Sequence, residues 1–323
     1  MNRIIAFVYA LLLLVPSAGS ADWFKGNTHT HTTLSDGDSP PETVVKWYKD
    51  HSYRFVVITD HNKTGDGGGM QAKFGEAGKF LVVAGNEISC SSEKKPVHFT
   101  AIHPSGDLVP VKDSTVVATL QKNVDAIRAA GAVPVINHPN FQWAFGAREM
   151  GKVKNWSLFE IQNSHPMVNN LGGRGKPGTE EMWDTLLTKG MRVFGVASDD
   201  THALKDFLPR LANPGRGWVC VRCDSLTPEA LCAALEKGDF YSSTGVELED
   251  VTSDAASLAV AVKPAGQSAY TIEFIGRGGK VLARKYEPKS EYRFTGKEGY
   301  VRARITDSNG FRAWTQPVFV GER

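Results

Sequence analysis

Histidine and carboxylate side chains recur at four separated points of the chain, each directly after a run of apolar, strand-forming residues. The four groups are His29 with His31, Asp60 with His61, His138 alone, and Asp200 with His202. In an extended strand, side chains two residues apart point to the same face, so His29 and His31 share a face, as do Asp200 and His202. Imidazole and carboxylate groups are common ligands of transition metals in proteins. The pattern therefore predicts a metal centre with more than one ion.

The elements that must position these side chains follow a strand–helix alternation over residues 22–244. Short apolar runs, such as residues 55–58, 80–84, 133–136 and 192–196, alternate with helical segments that end at Gly131, Gly190 and Gly238. Such alternation predicts a parallel sheet or barrel. Almost every candidate ligand lies at or just beyond the C-terminal end of a strand, where barrel enzymes place their active sites. We therefore predict an α/β fold with a TIM-like barrel rather than a doubly wound sheet.

Two local patterns add detail to this fold. Ser39, Pro40, Pro41 and Glu42 have the order of a capping box with proline in the first turn, which predicts a helix N-cap at Ser39. The glycine-rich segment 65–69 lacks the spacing of a nucleotide-binding turn. We interpret it as a mobile loop at the rim of the site.

The sequence pattern changes after residue 244. Residues 245–323 contain short, partly alternating strand-like runs separated by Gly, Asp, Asn and Lys, without helix signals. This pattern predicts a small antiparallel β-sandwich of immunoglobulin-like type. A packing role is favoured for it, with sugar or protein binding as the alternative.

The first 21 residues have the organisation of a secretory signal peptide. Arg3 precedes an apolar run over residues 4–15, and small residues follow at 17–21. The run is shorter than the ~18 residues that a membrane-spanning helix needs. We expect cleavage near Ala21, a periplasmic or secreted mature protein, and no membrane span after cleavage.

Composition limits the partners. The 323 residues carry a formal net charge of +2 and are 22% charged, so nucleic acid is not an expected partner. Four cysteines are too few and too unevenly spaced for a disulfide scaffold. For Cys220 and Cys223, a role in the core or in one disulfide, such as Cys223 with Cys232, is favoured over a metal or redox role.

Several motifs, taken in order, resemble those of the PHP (polymerase and histidinol phosphatase) superfamily. Within it, the chain is similar to the exported CehA/McbA-like metallohydrolases, which carry an added β-sandwich. The matching segments are residues 26–32, 35–37, 58–62, 85–87, 97–99, 137–139, 160–163 and 198–202, with 239–245 and 313–318 resembling the exported group.

The resemblance implies a distorted (β/α)7 barrel that binds two or three divalent ions. It implies His29, His31, Glu87 and Asp200 as ligands of the first ion, with Glu87 shared with a second ion held by His98 and His138. Asp36, His61 and His202 are implied for a third ion, and His165 or His103 for one further histidine position. Glu87, Asp200 and His202 are the predicted catalytic residues. The ligand types suit Zn, Mn or Fe.

The function expected from these ligands is hydrolysis by an activated water, most commonly of phosphate esters in this family. A carbamate or amide hydrolase is the variant within the same class, and a non-catalytic envelope or glycan-binding protein is the alternative from another class. The complete ligand set favours an enzyme. Lys63, Arg210 and Arg216 are candidates to neutralise a small anionic substrate. Asp60 and Asp199 are expected to support the ligands rather than to bind metal.

Overall fold

A computed structural model describes residues 22–321, so the predicted signal peptide at 1–21 lies outside the described residues. The helices are α1 (Pro41–Asp50), α2 (Gly67–Phe74), α3 (Val116–Ala129), α4 (Ala147–Met150), α5 (Thr179–Thr188) and α6 (Pro228–Lys237). Among the described residues, no helix has the length and apolar character that crossing a membrane requires.

The first nine strands alternate with these helices except that β4 follows β3 directly and β8 follows β7 without a helix between them. They are β1 (Trp23–Asn27), β2 (Phe55–Ile58), β3 (Leu81–Ser92), β4 (Lys95–Ile102), β5 (Val133–Ile136), β6 (Leu158–Asn163), β7 (Phe194–Ser198), β8 (Trp218–Arg222) and β9 (Phe240–Ser243). Strands β1 to β7 are neighbours in chain order in one sheet, and β8 and β9 continue it beyond β1. Every residue of β2, β5 and β7 is buried, as expected for strands covered on both faces.

Among strands β1 to β7, the first three are parallel to one another, as are the last three, and β4 between them is antiparallel. The pairs β1–β2, β2–β3, β5–β6 and β6–β7 are parallel, whereas β4 runs antiparallel to both β3 and β5. The turn between β3 and β4 consists of Glu93 and Lys94, which both have positive φ, the backbone of a tight hairpin. Because neither residue is Gly or Asn, the hairpin has no strong turn signal in the sequence. Strand β3 is one arm of this hairpin and extends to Ser92. Residues 85–87 therefore lie inside β3 and not after it.

Two local predictions are wrong. Helix α1 begins at Pro41 with Pro40 at the N-cap, and no side chain caps it, because proline has no side-chain acceptor; the Ser39 hydroxyl donates to Asp38. The glycine-rich segment is not a loop but contains the start of α2, where the Asp66 carboxylate accepts from the Gly69 amide. A Cβ at Gly67 would lie 2.3 Å from the backbone nitrogen of Ala84 in β3. Glycine is needed there for close packing, not for mobility.

The C-terminal strands extend the same sheet. They are β10 (Leu248–Ser253), β11 (Ser257–Val262), β12 (Tyr270–Gly276), β13 (Lys280–Lys285), β14 (Lys289–Arg293), β15 (Gly299–Asp307), β16 (Arg312–Thr315) and β17 (Val318–Val320). Strand β16 pairs with β9, while β10, β11 and β14 form a separate three-stranded sheet. Antiparallel pairing is thus confirmed for this region. The boundary at residue 244, the immunoglobulin-like topology and the closed seven-stranded barrel stay predictions.

Strand β7 is the last strand of the sheet, and on its outer side the hydrogen-bond partners of its backbone are side chains. The Gly195 amide donates to Gln316 Oε1 over 2.9 Å, and Gln316 Nε2 donates to the Gly195 carbonyl over 3.0 Å. The Ser242 hydroxyl on β9 donates to the same carbonyl and accepts from the Ala197 amide. Buried backbone groups on the outer side of β7 therefore have partners although no strand forms a ladder with it there.

The four cysteines are free thiols. Cys90 and Cys220 are buried in hydrophobic clusters, which confirms a core role for Cys220. Cys223 and Cys232 pack against a third cluster without forming the disulfide that was considered for them.

A buried arginine fixes α5 to the C-terminal strands. Arg302 of β15 is fully buried, and its Nε and Nη2 donate to the two carboxylate oxygens of Asp184 over 2.9 and 2.7 Å. Nη2 also lies 2.9 Å from Glu180, and the Tyr300 hydroxyl donates to Asp184. Burial alone would lower the pKa of Arg302, yet the Asp184 and Glu180 carboxylates raise it above its ordinary value. The charge is therefore retained between the two parts of the chain.

We expect Asp184→Ala to lower the free energy of unfolding by about 3–5 kcal/mol, because it leaves a buried guanidinium without its main partner. Urea denaturation followed by circular dichroism measures this. Glu247→Ala removes one carboxylate of an exposed pair with Lys263 and serves as the control, with an expected change within about 1 kcal/mol. Equal changes in the two variants would contradict the role of Arg302.

Candidate metal centre

The strands bring the predicted ligands to one end of the sheet. His29, His31 and Asp36 follow β1, and His61 follows β2. His138 follows β5, and Asp200 and His202 follow β7. Glu87 and His98 reach the same place from within the β3–β4 hairpin, which extends past the end of β2 so that His61 pairs with Glu87. A parallel bridge between Thr30 and Thr201 joins the segment that carries His29 and His31 to the segment that carries Asp200 and His202.

Four side chains form a fully enclosed donor set, here called the inner set: His29, His31, Glu87 and Asp200. The Nε2 atoms of His29 and His31 lie 3.1 Å apart, and Asp200 Oδ1 lies 3.2 Å from each. The two Glu87 oxygens lie 3.3 Å from these same nitrogens. When four ligand atoms surround an ion as a tetrahedron, each ~2.1 Å from it, the ligand atoms are ~3.4 Å from one another. The spacing of the inner set therefore fits a metal ion.

Glu87 also belongs to a second donor set, with His98 and His138. Its Oε1 lies 3.3 Å from His98 Nδ1 and 3.2 Å from His138 Nε2. Among the described residues, His98 Nδ1 and Asp200 Oδ1 are buried without a hydrogen-bond partner. Buried polar atoms normally have partners, so these two atoms indicate that the site is built for a ligand that they bind.

A third set, here called the outer set, lies at the entrance. Asp36 is 3.5 Å from His31 Nδ1, 3.4 Å from His61 Nε2 and 3.3 Å from His202 Nε2. The Asp36 side chain is 54% exposed, whereas that of Glu87 is 1% exposed. His31 faces the inner set with Nε2 and the outer set with Nδ1. An ion in the outer set would be far more accessible to solvent than one in the inner set.

The charges of the donors compensate one another. Burial alone would raise the pKa of Glu87, yet His29 and His98 hold it well below its ordinary range. Against burial, the Asp200 and Glu87 carboxylates raise the pKa of His29 well above its ordinary range. Hydrogen bonds to Asp36 and Glu87 outweigh burial and raise the pKa of His61 to about 10. These carboxylates therefore stay ionised, which is the state that binds cations.

Glu160 supports the site and was not predicted as a functional residue. Its Oε1 lies 2.8 Å from His29 Nδ1 and accepts from the Ser198 hydroxyl, while Oε2 accepts from the His138 amide and from Asn163 Nδ2. A carboxylate bound to the second ring nitrogen orients a ligand histidine and increases its basicity. The signal in the sequence is a glutamate inside the apolar run 158–161, since unpaired carboxylates are rarely buried.

Two asparagines hold the ligand carboxylates in place. Asn137 Nδ2 donates to Glu87 Oε1 over 2.9 Å, and Asn163 Nδ2 donates to Asp200 Oδ2 over 3.0 Å. Asp200 has a φ of 51°, a left-handed backbone that is uncommon outside glycine. Such strain persists only where neighbouring contacts enforce it.

Asp199 and Asp60 lie outside the donor sets, as expected, but their hydrogen bonds go to neighbouring segments and not to the ligand side chains themselves. The Asp199 carboxylate faces away from the ligands and accepts from the backbone amides of residues 215–217 and from the Tyr48 hydroxyl. Asp60 accepts from the amide and hydroxyl of Thr32 and from the hydroxyl of Ser35. Asp60 thus fixes the loop that carries Asp36.

The structure distinguishes the two candidates for a further histidine ligand. His165 lies at the cavity with its ring 5.2 Å from that of His202, and its Nδ1 accepts from the Met167 amide. His103 lies 3.4 Å from Glu229, at the start of α6, away from every ligand set. His103 is therefore excluded as a ligand.

The basic residues predicted to bind an anionic substrate do not reach the cavity. Lys63 and Arg210 are exposed. The Arg216 guanidinium donates to the carbonyls of Leu208 and Leu211 and to Asn213 Oδ1, so it organises its own loop. The guanidinium therefore binds within residues 208–216. No pattern in the sequence indicates these contacts.

The cavity itself has a volume of about 160 Å³. Its walls are the donors Asp36, His61, Glu87, His98, His138, Asp200 and His202, with His165, Phe141, Met167 and Val168. Within residues 22–321, no lysine or arginine lines it.

No protein-family model matches the chain, and no curated protein sequence matches it. Among solved structures, the chain is similar to a two-domain protein from Bacteroides vulgatus that contains a predicted PHP-like metal-dependent phosphoesterase. The TM-score is 0.53 at 14% identity, over 97% of this chain and 100% of that one. At this identity, the similarity shows a shared fold, and it extends through the C-terminal strands.

Two further structures are similar over a smaller share of the chain. One is described as a metal-dependent phosphoesterase from Bifidobacterium adolescentis, with a TM-score of 0.40 and 15% identity over 57% of this chain and 90% of that one. The other is an amidohydrolase from Chromobacterium violaceum, with a TM-score of 0.39 and 12% identity over 58% of this chain and 93% of that one.

We expect Glu160→Gln to weaken metal binding by about 10- to 100-fold, because the amide cannot act as an ionised acceptor for His29. Competition with a chromophoric chelator measures the affinity. Glu149→Gln, which keeps an acceptor for the Gly146 amide in α4, is the matched control. Unchanged affinity in Glu160→Gln would contradict the supporting role.

Asp60→Ala should release the Asp36 loop and lower metal retention in the outer set only. After dialysis against a weak chelator, elemental analysis should show about one ion fewer per chain than in the wild type. Asp66→Asn removes a carboxylate six residues away but keeps an N-cap for α2, so its metal content should not change. Loss of all metal from Asp60→Ala would show instead that the loop supports both sets.

Proposed function

We propose that the chain is an exported, metal-dependent hydrolase that acts on phosphate esters. The observation that carries this proposal is the position of Glu87, whose one carboxylate faces two adjacent donor sets. His29, His31 and Asp200 would hold one ion with it, and His98 and His138 a second. Asp36, His61 and His202 would hold a third. Zn, Mn or Fe in the divalent state suits these donors, and such ions supply Lewis acidity and a water that ionises near neutral pH.

The charge balance supports an anionic substrate. Asp36, Glu87 and Asp200 line the cavity or its entrance, and Glu160 lies behind them. Three divalent ions would exceed the charge of these four carboxylates, so the loaded cavity would be positive although no basic side chain lines it. A phosphate ester is attracted to such a cavity more strongly than a neutral carbamate or amide.

The protein side chains have separate tasks in this proposal. Glu160, Asn137 and Asn163 keep the ligand groups oriented, so little reorganisation is needed when the substrate binds. Asp36, His61 and His202 lie at the entrance, where they would meet the reacting phosphate group. The similarity in fold to a protein containing a PHP-like phosphoesterase supports the same reaction class. Export is proposed from the organisation of residues 1–21.

Glu87→Ala and Asp200→Ala should each lower metal-stimulated hydrolysis by about 100-fold or more, because each removes a shared or central ligand. The full chain, loaded with Mn, Zn or Fe, is tested on phosphomonoesters, phosphodiesters and aryl carbamates. Glu291→Ala removes an exposed carboxylate on β14 and is the control. Unchanged turnover in either ligand variant would refute the metal mechanism, and turnover of carbamates alone would replace the phosphate ester as substrate.

A further inference from the structure

Two loops form one rigid edge of the cavity. Phe141, after β5, pairs with Val168, after β6, in an antiparallel bridge. Asn140 Nδ2 donates to the Asn169 carbonyl over 3.0 Å, and Asn169 Nδ2 donates to the Asn140 carbonyl over 3.2 Å. These reciprocal bonds hold the loops together. The side chains of Phe141, Met167 and Val168 on this edge line the cavity and are here called the apolar lip.

The apolar lip lies directly against the metal ligands. The Phe141 ring is 5.3 Å from the ring of His138 and 6.3 Å from that of His98. Met167 is 60% exposed, yet its amide donates to His165 Nδ1, which fixes its backbone at the entrance. Together with Phe141 and Val168, the Met167 side chain gives the cavity an apolar wall beside its polar groups, which is the mixed lining typical of ligand sites.

The rest of the lining is polar and includes Asp36, His61 and His202. A substrate in the cavity would therefore meet both candidate metal ligands and the apolar lip. The volume of about 160 Å³ is close to that of a cavity of about 150 Å³ that accommodates benzene. It leaves room for the reacting group and only part of a small leaving group.

We propose that the substrate is a small phosphate monoester whose leaving group is apolar, an alkyl or aryl alcohol held against Phe141 and Met167. This inference rests on the proposed function. In the reaction, the oxygen of water bonds to phosphorus, and the bond between phosphorus and the ester oxygen breaks. The alcohol oxygen takes the proton that the water loses, so the products are inorganic phosphate and the free alcohol.

The alternative leaving groups fit the lip poorly. A sugar or glycerol would place hydroxyl groups against Phe141 and Met167, where they lose water without gaining a hydrogen-bond partner. Apolar contact made in both the ground and transition states lowers KM more than it raises kcat.

Butyl phosphate and glycerol 3-phosphate test this proposal, since their leaving groups are similar in size and differ in hydroxyl content. The metal-loaded full chain is assayed by release of inorganic phosphate. We expect a kcat/KM at least about 10-fold higher for butyl phosphate. Met167→Ser should raise KM for butyl phosphate about 5-fold, with kcat and metal content retained, and leave glycerol 3-phosphate unaffected.

Leu171→Ser is the matched control, because Leu171 is exposed on the same loop but does not line the cavity. It should change neither substrate's KM. Equal kcat/KM for the two esters in the wild type, or an equal effect of Met167→Ser on both, would overturn the apolar leaving group while leaving the hydrolase intact. Absence of hydrolysis of every ester by the metal-loaded wild type would overturn the proposed function as well.

Discussion

The burial of several carboxylates within a few ångströms of one another is the constraint on which the rest of this structure depends. Glu87, Asp200 and Glu160 are each almost fully buried, and isolated charges of one sign cannot remain together in such surroundings. Here imidazoles from four strand ends and from the β3–β4 hairpin, two asparagine amides and backbone donors surround them. The β3–β4 hairpin, the left-handed backbone of Asp200 and the clamped Asp36 loop all serve this arrangement. Divalent cations would complete it, so the positions of the strand ends in the first part of the chain answer the electrostatic demands of one small volume.

Local patterns in the sequence revealed most of the ligands. His29 and His31 could be recognised because strand alternation places them on one face, and Asp199 could be separated from Asp200 for the same reason. Glu160 could not be given a role, because its partner His29 lies far away in the chain and only the fold brings them together. Arg216 was proposed to bind the substrate because a charge in a loop gives no sign that nearby oxygen atoms accept from its guanidinium.

The elements show the same division between local and tertiary information. Helix ends at Gly131, Gly190 and Gly238 were predictable because each glycine adopts the left-handed backbone that ends a helix. The Glu93–Lys94 turn was not, since tertiary pairing of β4 with both neighbours enforces a turn that these residues do not favour alone. Gly67 was placed in a mobile loop because the sequence does not distinguish a glycine required for close packing from one that gives mobility. The antiparallel C-terminal region was visible in its alternation, but its continuity with the first sheet through β9 and β16 depends on contacts across the whole chain.

The side-chain amide of Gln316 links the C-terminal strands to the sheet margin at β7. By engaging both backbone groups of Gly195, one side chain takes the place of a neighbouring strand. A chain ending at residue 244 would lose this surrogate and the β16 pairing of β9 together, which would leave two sheet margins open to other molecules. The C-terminal strands thus protect two margins of the first sheet, and unpaired margins of this kind are templates for pairing with another chain.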